Sequence, residues 1–252
     1  MDFLETIIHE KKQEVQATPL EKVQPLRKTD SFYQQVKAHP EKMHIIGEVK
    51  RASPSKGAIN LAVNVIEQAQ AYEQAGVTAI SVLTDEVFFK GSIEDLRTVA
   101  SQVAIPVLCK DFIIDEKQLI RARNAGATMV LLIVSALSKQ KLAELYTKAV
   151  ALELEVLVEV HDEQELAIAE GLSAQLIGVN NRNLKTFDVS IEVSQQLGKK
   201  QTRDAVYISE SGFSTGQQVA LVKENYQVVL VGEGLMREND PKAKVKELQV
   251  LR

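Results

Sequence analysis

Two stretches decide the fold: "EQAGVTAISVLT" (Glu73–Thr84) and "RNAGATMVLLIV" (Arg123–Val134) repeat one pattern, Ala-Gly-x-Thr leading into an apolar run. Gly76 and Gly126 read as residues just past a helix, in the left-handed backbone conformation that penalises any Cβ. The unit is therefore helix, glycine, strand. Working outward, short β-branched runs recur at His44–Val49, Ala79–Leu83, Val107–Lys110, Met129–Val134, Glu155–Val160, Leu176–Asn180, Val206–Glu210 and Val228–Val231. Between them, Val65–Ala75, Glu116–Asn124, Lys139–Leu152 and Gln217–Asn225 carry helical periodicity. Strands that alternate with helices must run parallel, joined by crossovers. Eight such units in 252 residues predict an α/β fold, a closed (β/α)₈ TIM barrel. An open doubly wound sheet is the alternative, and it would leave two edges unpaired.

Residues 1–43 precede the first strand, a length that a minimal barrel does not need. Leu4, Ile7 and Ile8 stand at helical spacing and Ser31–Ala38 forms a second helical stretch. Together they predict an N-terminal helical extension packed over one barrel mouth. No low-complexity or linker-like tract interrupts the chain, so residues 1–252 are expected to form a single domain. The net charge of -4 argues against nucleic acid, whose binders concentrate Lys and Arg. No segment has the apolar length of a secretion signal or a membrane span, and a cytoplasmic protein is expected. Cys109 is the only cysteine, which excludes intramolecular disulfides and thiolate metal cages. The four histidines show no metal-ligand spacing, so neither a metal nor another cofactor is implied.

In a barrel of this kind the chemistry sits at the C-terminal strand ends. Side chains alternate along a strand, so Glu48 and Lys50 share a face and Val49 points away. An inward Glu and Lys are costly unless paired or used. The bland alternative is a buried ion pair without chemical work. The same parity sets Lys110 inward and leaves Cys109 against the helices as a small apolar filler rather than a nucleophile. Glu159 shares the face of Leu157, Glu210 that of Ile208, and Asn180 and Arg182 point the same way. Lysines, glutamates, an asparagine and an arginine from five strands thus converge on one mouth. Such a mixture suits acid/base chemistry on an anionic substrate. Glycines directly after the last two strands, in "SESG" (Ser209–Gly212) and "VGEG" (Val231–Gly234), lie where barrels bind phosphate through backbone N–H groups and a short helix, here around Leu235–Arg237.

Longer motifs narrow this further. "IIGEVKRASPSKG" (Ile45–Gly57), "SVLTDEVFFKGS" (Ser81–Ser92), "VLCKDFIID" (Val107–Asp115), "EVLVEVHD" (Glu155–Asp162), "IGVNNRNLKTF" (Ile177–Phe187), "SESG" and "LVGEGLM" (Leu230–Met236) occur in order. In them the sequence resembles the indole-3-glycerol-phosphate synthases of tryptophan biosynthesis, from about residue 4 to 237. The resemblance implies ring closure of an anthranilate-derived sugar phosphate, with loss of CO₂ and water. It implies that Lys110 is the general acid of ring closure, that Glu159 serves dehydration, and that Lys50 with Glu48 binds the carboxylate and moves protons. It leaves the dehydration acid divided between Lys50 and Glu159. It makes Asn180, Arg182, Glu210 and Ser211 the polar shell around the substrate. Ser53, Gly212, Gly232 and Gly234 become the phosphate cradle, and Pro54, Phe89, Phe112, Leu131 and Leu184 the slot for the aromatic ring.

Three departures stand out. Position 234 is often Ser in that family and is Gly here; Ser190 replaces an expected acid; and no Trp is present to give an aromatic face from the extension, so that face is either replaced by an apolar residue such as Leu4 or absent. A sugar-phosphate isomerase, or a non-catalytic barrel that binds a phosphorylated metabolite, are the competing readings. The isomerase would need a cysteine in the site, and Cys109 has the wrong parity. The expected partner is a small-molecule substrate, and the expected assembly a monomer. Arg51–Gly57 has almost no apolar anchor and is expected to be a mobile flap over the substrate, with a static turn set by Pro54 and Gly57 as the alternative.

Overall fold

Each of the eight β-branched runs becomes a strand: β1 (His44–Val49), β2 (Ala79–Leu83), β3 (Val107–Lys110), β4 (Met129–Ile133), β5 (Glu155–Val160), β6 (Leu176–Asn180), β7 (Val206–Glu210) and β8 (Val228–Val231). The computed structural model describes residues 3–53, 57–58 and 63–252. All neighbours pair in parallel, and β1 pairs with both β2 and β8. The sheet therefore closes on itself as a (β/α)₈ barrel. Val134 leaves the fourth strand early and opens a 3₁₀ turn, Val134–Ala136.

The helices begin where short polar side chains satisfy free backbone N–H groups. Ser92, Asp115, Ser138, Asp162 and Thr215 each cap the helix that follows them. Gly76 and Gly126 have φ of 88° and 96°, the left-handed conformation expected at the ends of the helices Val65–Ala75 and Glu116–Asn124. The helix expected over Gln217–Asn225 is shorter, Gly216–Ala220. Beyond it Leu221, Val222 and Asn225 bond three residues back, which tightens the chain into turns.

Period two divides the apolar side chains into two layers. Val130, Leu132, Val156, Val158, Ile177 and Val179 face the helices. Ile46, Leu108, Met129, Leu131, Leu157, Leu176, Val206, Ile208, Val228 and Leu230 fill the barrel. Helix α2 (Phe32–Ala38) plugs the N-terminal end of that interior with Phe32 and Val36. The Glu155 carboxylate, at the start of β5, accepts from Ser31 Oγ at 2.9 Å and from the Phe32 and Tyr33 N–H groups at 2.8 Å. A carboxylate at a helix N-terminus also meets the positive end of its dipole.

Helix α1 (Phe3–Ala17) lies at the other end, beside the loops that follow β2 and β3. Its inner stripe is Ile7, Lys11 and Val15. Lys11 is 2% exposed, and its Nζ lies 2.8 Å from Asp111, 3.1 Å from Asp85 and 2.7 Å from Glu14. The two helices of the extension therefore do not pack together over one mouth, as expected, but serve opposite ends of the barrel, because Phe32 and Val36 fill the apolar end while Lys11 is drawn to Asp85 and Asp111 at the other.

Candidate active site

The C-terminal strand ends surround a cavity of about 770 Å³. Glu48, Lys50, Phe89, Lys110, Phe112, Leu131, Glu159, Asn180, Arg182, Leu184, Glu210, Ser211, Gly212, Gly232 and Gly234 all line it. Pro54 lies outside the described residues, as do Ser55 and Lys56 at the centre of the expected flap. Of Ser53 only the backbone is described, in a two-residue bridge pair with Gly57–Ala58.

Lys110 stands at the centre of the charges. Its Nζ donates to Glu159 Oε2 and Glu210 Oε2, each at 3.1 Å. Burial alone would lower its pKa, but the carboxylates of Glu159, Glu210 and Glu48 outweigh that and raise it. Glu159 is likewise buried, which alone would raise its pKa; Lys110 and His161 instead hold it below the usual carboxylate range. Glu210 is pushed up to about 7, by burial and by its likeness in charge to Glu159. Lys50 Nζ donates to Glu48 Oε1 at 2.7 Å, and this pair with Lys110 keeps the buried Glu48 carboxylate ionised. Two neighbouring carboxyls are thus shifted in opposite directions, a division that favours proton transfer.

The rest of the rim fixes orientation. Asn180 Oδ1 accepts from Ser211 Oγ at 2.9 Å and from the Arg182 N–H at 3.0 Å. Ser211 and Gly212 both have positive φ, 68° and 93°, which turns the chain sharply off β7. Phe89 and Phe112 stand 6.1 Å apart, tilted at 36°. A Cβ on Gly234 would come within 2.6 Å of Phe213 O, so the glycine lets the loops after β7 and β8 approach. A Cβ on Gly232 would meet Glu48 Oε1 at 2.7 Å and Lys50 Nζ at 2.8 Å, space that this ion pair occupies. Leu4 lines a neighbouring second cavity instead, and the aromatic contribution of the extension is Phe3, edge-on to Phe88 and Phe187. Cys109 is buried among the side chains that face the helices, 3.4 Å from Thr84 Oγ1, its thiol pushed up to about 12 by burial.

Sequence reasoning passed over three groups. Asp111, of outward parity, borders the cavity and accepts from Thr84 Oγ1 at 2.6 Å. Lys11 anchors it, and the signal was a lysine at the centre of an apolar helical stripe. His161, the first residue past β5, places Nε2 3.4 Å from Glu159 Oε1. Its clue was Glu165, one helical turn on.

A family model for indole-3-glycerol phosphate synthase matches residues 4–248. The indole-3-glycerol phosphate synthase of Listeria welshimeri is 62% identical over 252 residues, all of both chains. That of Streptococcus sanguinis is 53% identical over 249 residues, 99% of this chain and 98% of that one. A crystal structure of 3-hexulose-6-phosphate synthase matches with a TM-score of 0.66 at 18% identity, covering 82% of this chain and 98% of that one, a likeness of fold alone. With a full-length match, a closed parallel barrel and buried acids and bases at its C-terminal mouth, this chain belongs to the indole-3-glycerol phosphate synthase family, carboxy-lyases of tryptophan biosynthesis.

Proposed function

We propose that the cavity closes the pyrrole ring of 1-(2-carboxyphenylamino)-1-deoxyribulose 5-phosphate and releases indole-3-glycerol phosphate, CO₂ and water. The observation that carries this reading is a lysine held protonated between two buried glutamates beside a paired aromatic slot. The ring carbon that bears the carboxylate attacks the ketone, and Lys110 gives its proton to the oxygen as the bond forms. That oxygen becomes strongly basic, so a donor kept charged by its neighbours is suited to it. CO₂ then leaves with the electron pair returning to the aromatic ring. In the dehydration, Lys50 protonates the departing hydroxyl, and Glu159, ionised, takes the proton from the carbon next to nitrogen. Glu159 hands that proton to Lys110, 3.1 Å away, which restores the starting acid. One proton per turnover is drawn from solution, through Lys50, because the substrate enters as a carboxylate and leaves as neutral CO₂.

Phe89, Phe112, Leu131 and Leu184 serve the anthranilate ring, and Pro54 belongs to the same proposed slot. Arg182, Asn180, Glu210 and Ser211 are the polar shell. Backbone N–H groups around Gly212, Gly232 and Gly234, with Ser53, take the phosphate. We infer that residues 1–252 act as one domain, with 1–43 as its extension, in the cytoplasm; that one chain supplies Glu48, Lys50, Lys110, Glu159 and Glu210 together supports a monomer. The test is incubation with the substrate under indole fluorescence, for the wild-type chain and Lys110→Ala. Product from the first and a kcat loss of about 10² or more in the second, with KM little changed, is the expected outcome. Lys110→Ala retaining more than about a tenth of kcat refutes the role.

A further inference from the structure

The reaction as proposed leaves Glu159 exposed to a difficulty at mid-cycle. Lys110 is its cationic neighbour on Oε2, and Lys110 gives up its proton in ring closure, before dehydration needs Glu159 as a base. A carboxylate that is 2% exposed and has just lost its counter-charge would tend to take a proton. Its other oxygen, however, faces His161. Nε2 of that ring lies 3.4 Å from Glu159 Oε1, close enough for an ion pair and too poorly aligned for a hydrogen bond. On its far side His161 Nδ1 meets Glu165 Oε2 at 3.1 Å, and the same oxygen accepts the His161 backbone N–H at 2.8 Å. The chain Lys110, Glu159, His161, Glu165 therefore runs from the barrel axis outward through alternating cations and carboxylates.

We propose that His161 is a positioning residue for the reaction: its imidazolium, carried by Glu165, keeps Glu159 ionised through the steps in which Lys110 is neutral. The inference rests on the reading of Lys110 and Glu159 given above. No proton moves through His161 in this scheme; the ring stays charged throughout, and it acts on Glu159 through its field. Although burial opposes the charge, the two carboxylates push the ring up to about 10, so it is protonated across the working range. His161 and Glu165 also border the second cavity, of about 1000 Å³, that separates them from α1. The charged groups facing the ring across it are Glu5, His9 and Lys12 of α1 and Asp162 beside it. The loop after β6 adds Arg182, Lys185 and Asp188 to the same cavity wall. These are of mixed sign, whereas Glu159 and Glu165 are within ion-pair reach of the imidazole.

The test is the pH profile of kcat for the wild-type chain, His161→Gln and His161→Lys, read by indole fluorescence between pH 5.5 and 9. Removing a cation raises the pKa of a neighbouring carboxylate. The acid limb of His161→Gln should therefore lie about one pH unit or more above that of the wild type. Below that limb kcat falls by about tenfold, while KM stays within about twofold. His161→Lys, which returns a positive charge, should move the limb back toward the wild-type position. A His161→Gln profile of unchanged shape, at whatever level, overturns the proposal, because a packing defect lowers activity without moving a titration. Should His161→Gln fail to fold, NMR of the histidine-labelled wild-type chain decides: a neutral His161 ring at pH 8 overturns the proposal, and a doubly protonated one upholds it. If the wild-type chain forms no indole product, the reading of function fails instead.

Discussion

Replacing Gly178 by alanine isolates one packing requirement of the site. Gly178 is an inward position of β6, opposite Glu159 on one side and Ile208 on the other. Glu210 leans across from β7 into the room that a side chain at 178 would fill. A Cβ built on Gly178 overlaps Glu210 Oε1 and stands 3.3 Å from its Cδ and 3.1 Å from Leu157 Cδ1. Leu157 is buried in the barrel and has little freedom to withdraw. The carboxyl must therefore move by about 1 Å to restore normal contact. That motion breaks the 3.1 Å hydrogen bond from Lys110 and leaves the ammonium to Glu159 alone. A misplacement of about 1 Å at reacting groups costs about 10²-fold in rate. Overpacking adds about 1–3 kcal/mol, which for a chain of this size lowers Tm by about 2–12 °C. The assay is kcat by indole fluorescence beside a thermal melt, with Gly47→Ala as the control. At Gly47 a Cβ would lie 2.8 Å from the Tyr72 ring, on the helix side and away from the site, so a stability loss with normal kcat is expected. Equal kcat losses in both variants, or more than half of kcat kept by Gly178→Ala, would refute the reasoning.

Lys11→Ala should destabilise strongly, since it leaves Asp85 and Asp111 buried without their common cation. A loss of about 3–5 kcal/mol, or about 6–20 °C in Tm, is expected in a thermal melt, and an unchanged Tm would mean the carboxylates reach water. Cys109, buried with its thiol pushed up to about 12, should react with a thiol reagent at pH 8 only after unfolding. Cys109→Ser should keep near-normal kcat; reaction in the native enzyme, or a lost activity without unfolding, contradicts its placement. His161 is raised from 6.5 to about 10, so its contribution to stability is full below pH 6.5 and is lost as pH rises through 10. Denaturant unfolding across that window should show wild-type stability declining more steeply than that of His161→Gln, and parallel curves would refute the shift.

The roles of the two ends of the barrel follow from what each can bury. The N-terminal end closes with hydrocarbon: Phe32 and Val36 of α2 enter it, and Glu155 anchors the helix from outside the core. The C-terminal end keeps its polar layer because Glu48, Lys50, Lys110, Glu159 and Glu210 each have a counter-charge within reach. One end therefore contributes mainly stability, while the other holds groups whose desolvation is tolerated only as an ensemble.

The eight strands and the helices Val65–Ala75, Glu116–Asn124 and Lys139–Ala151 were legible in the chain because their signals are local: period two, period 3.6 and two glycines in left-handed turns leave marks within a few residues, whereas the end of the helix at Gly216–Ala220 left none. Parity likewise put Glu48, Lys50, Lys110, Glu159 and Glu210 on the inner face, because alternation along a strand needs no knowledge of its neighbours. Closure of the sheet was inferable only from the number of units, and the register that sets Glu159 beside Gly178 was not. Tertiary structure alone decided the long-range pairs. Lys11 reaches Asp111 across 100 positions of sequence, Glu155 holds the N-terminus of α2, and Glu210 occupies the space over Gly178. The physical reason is that a buried charge is settled by whichever counter-charge folding brings within a few ångströms, and its distance along the chain has no bearing on that.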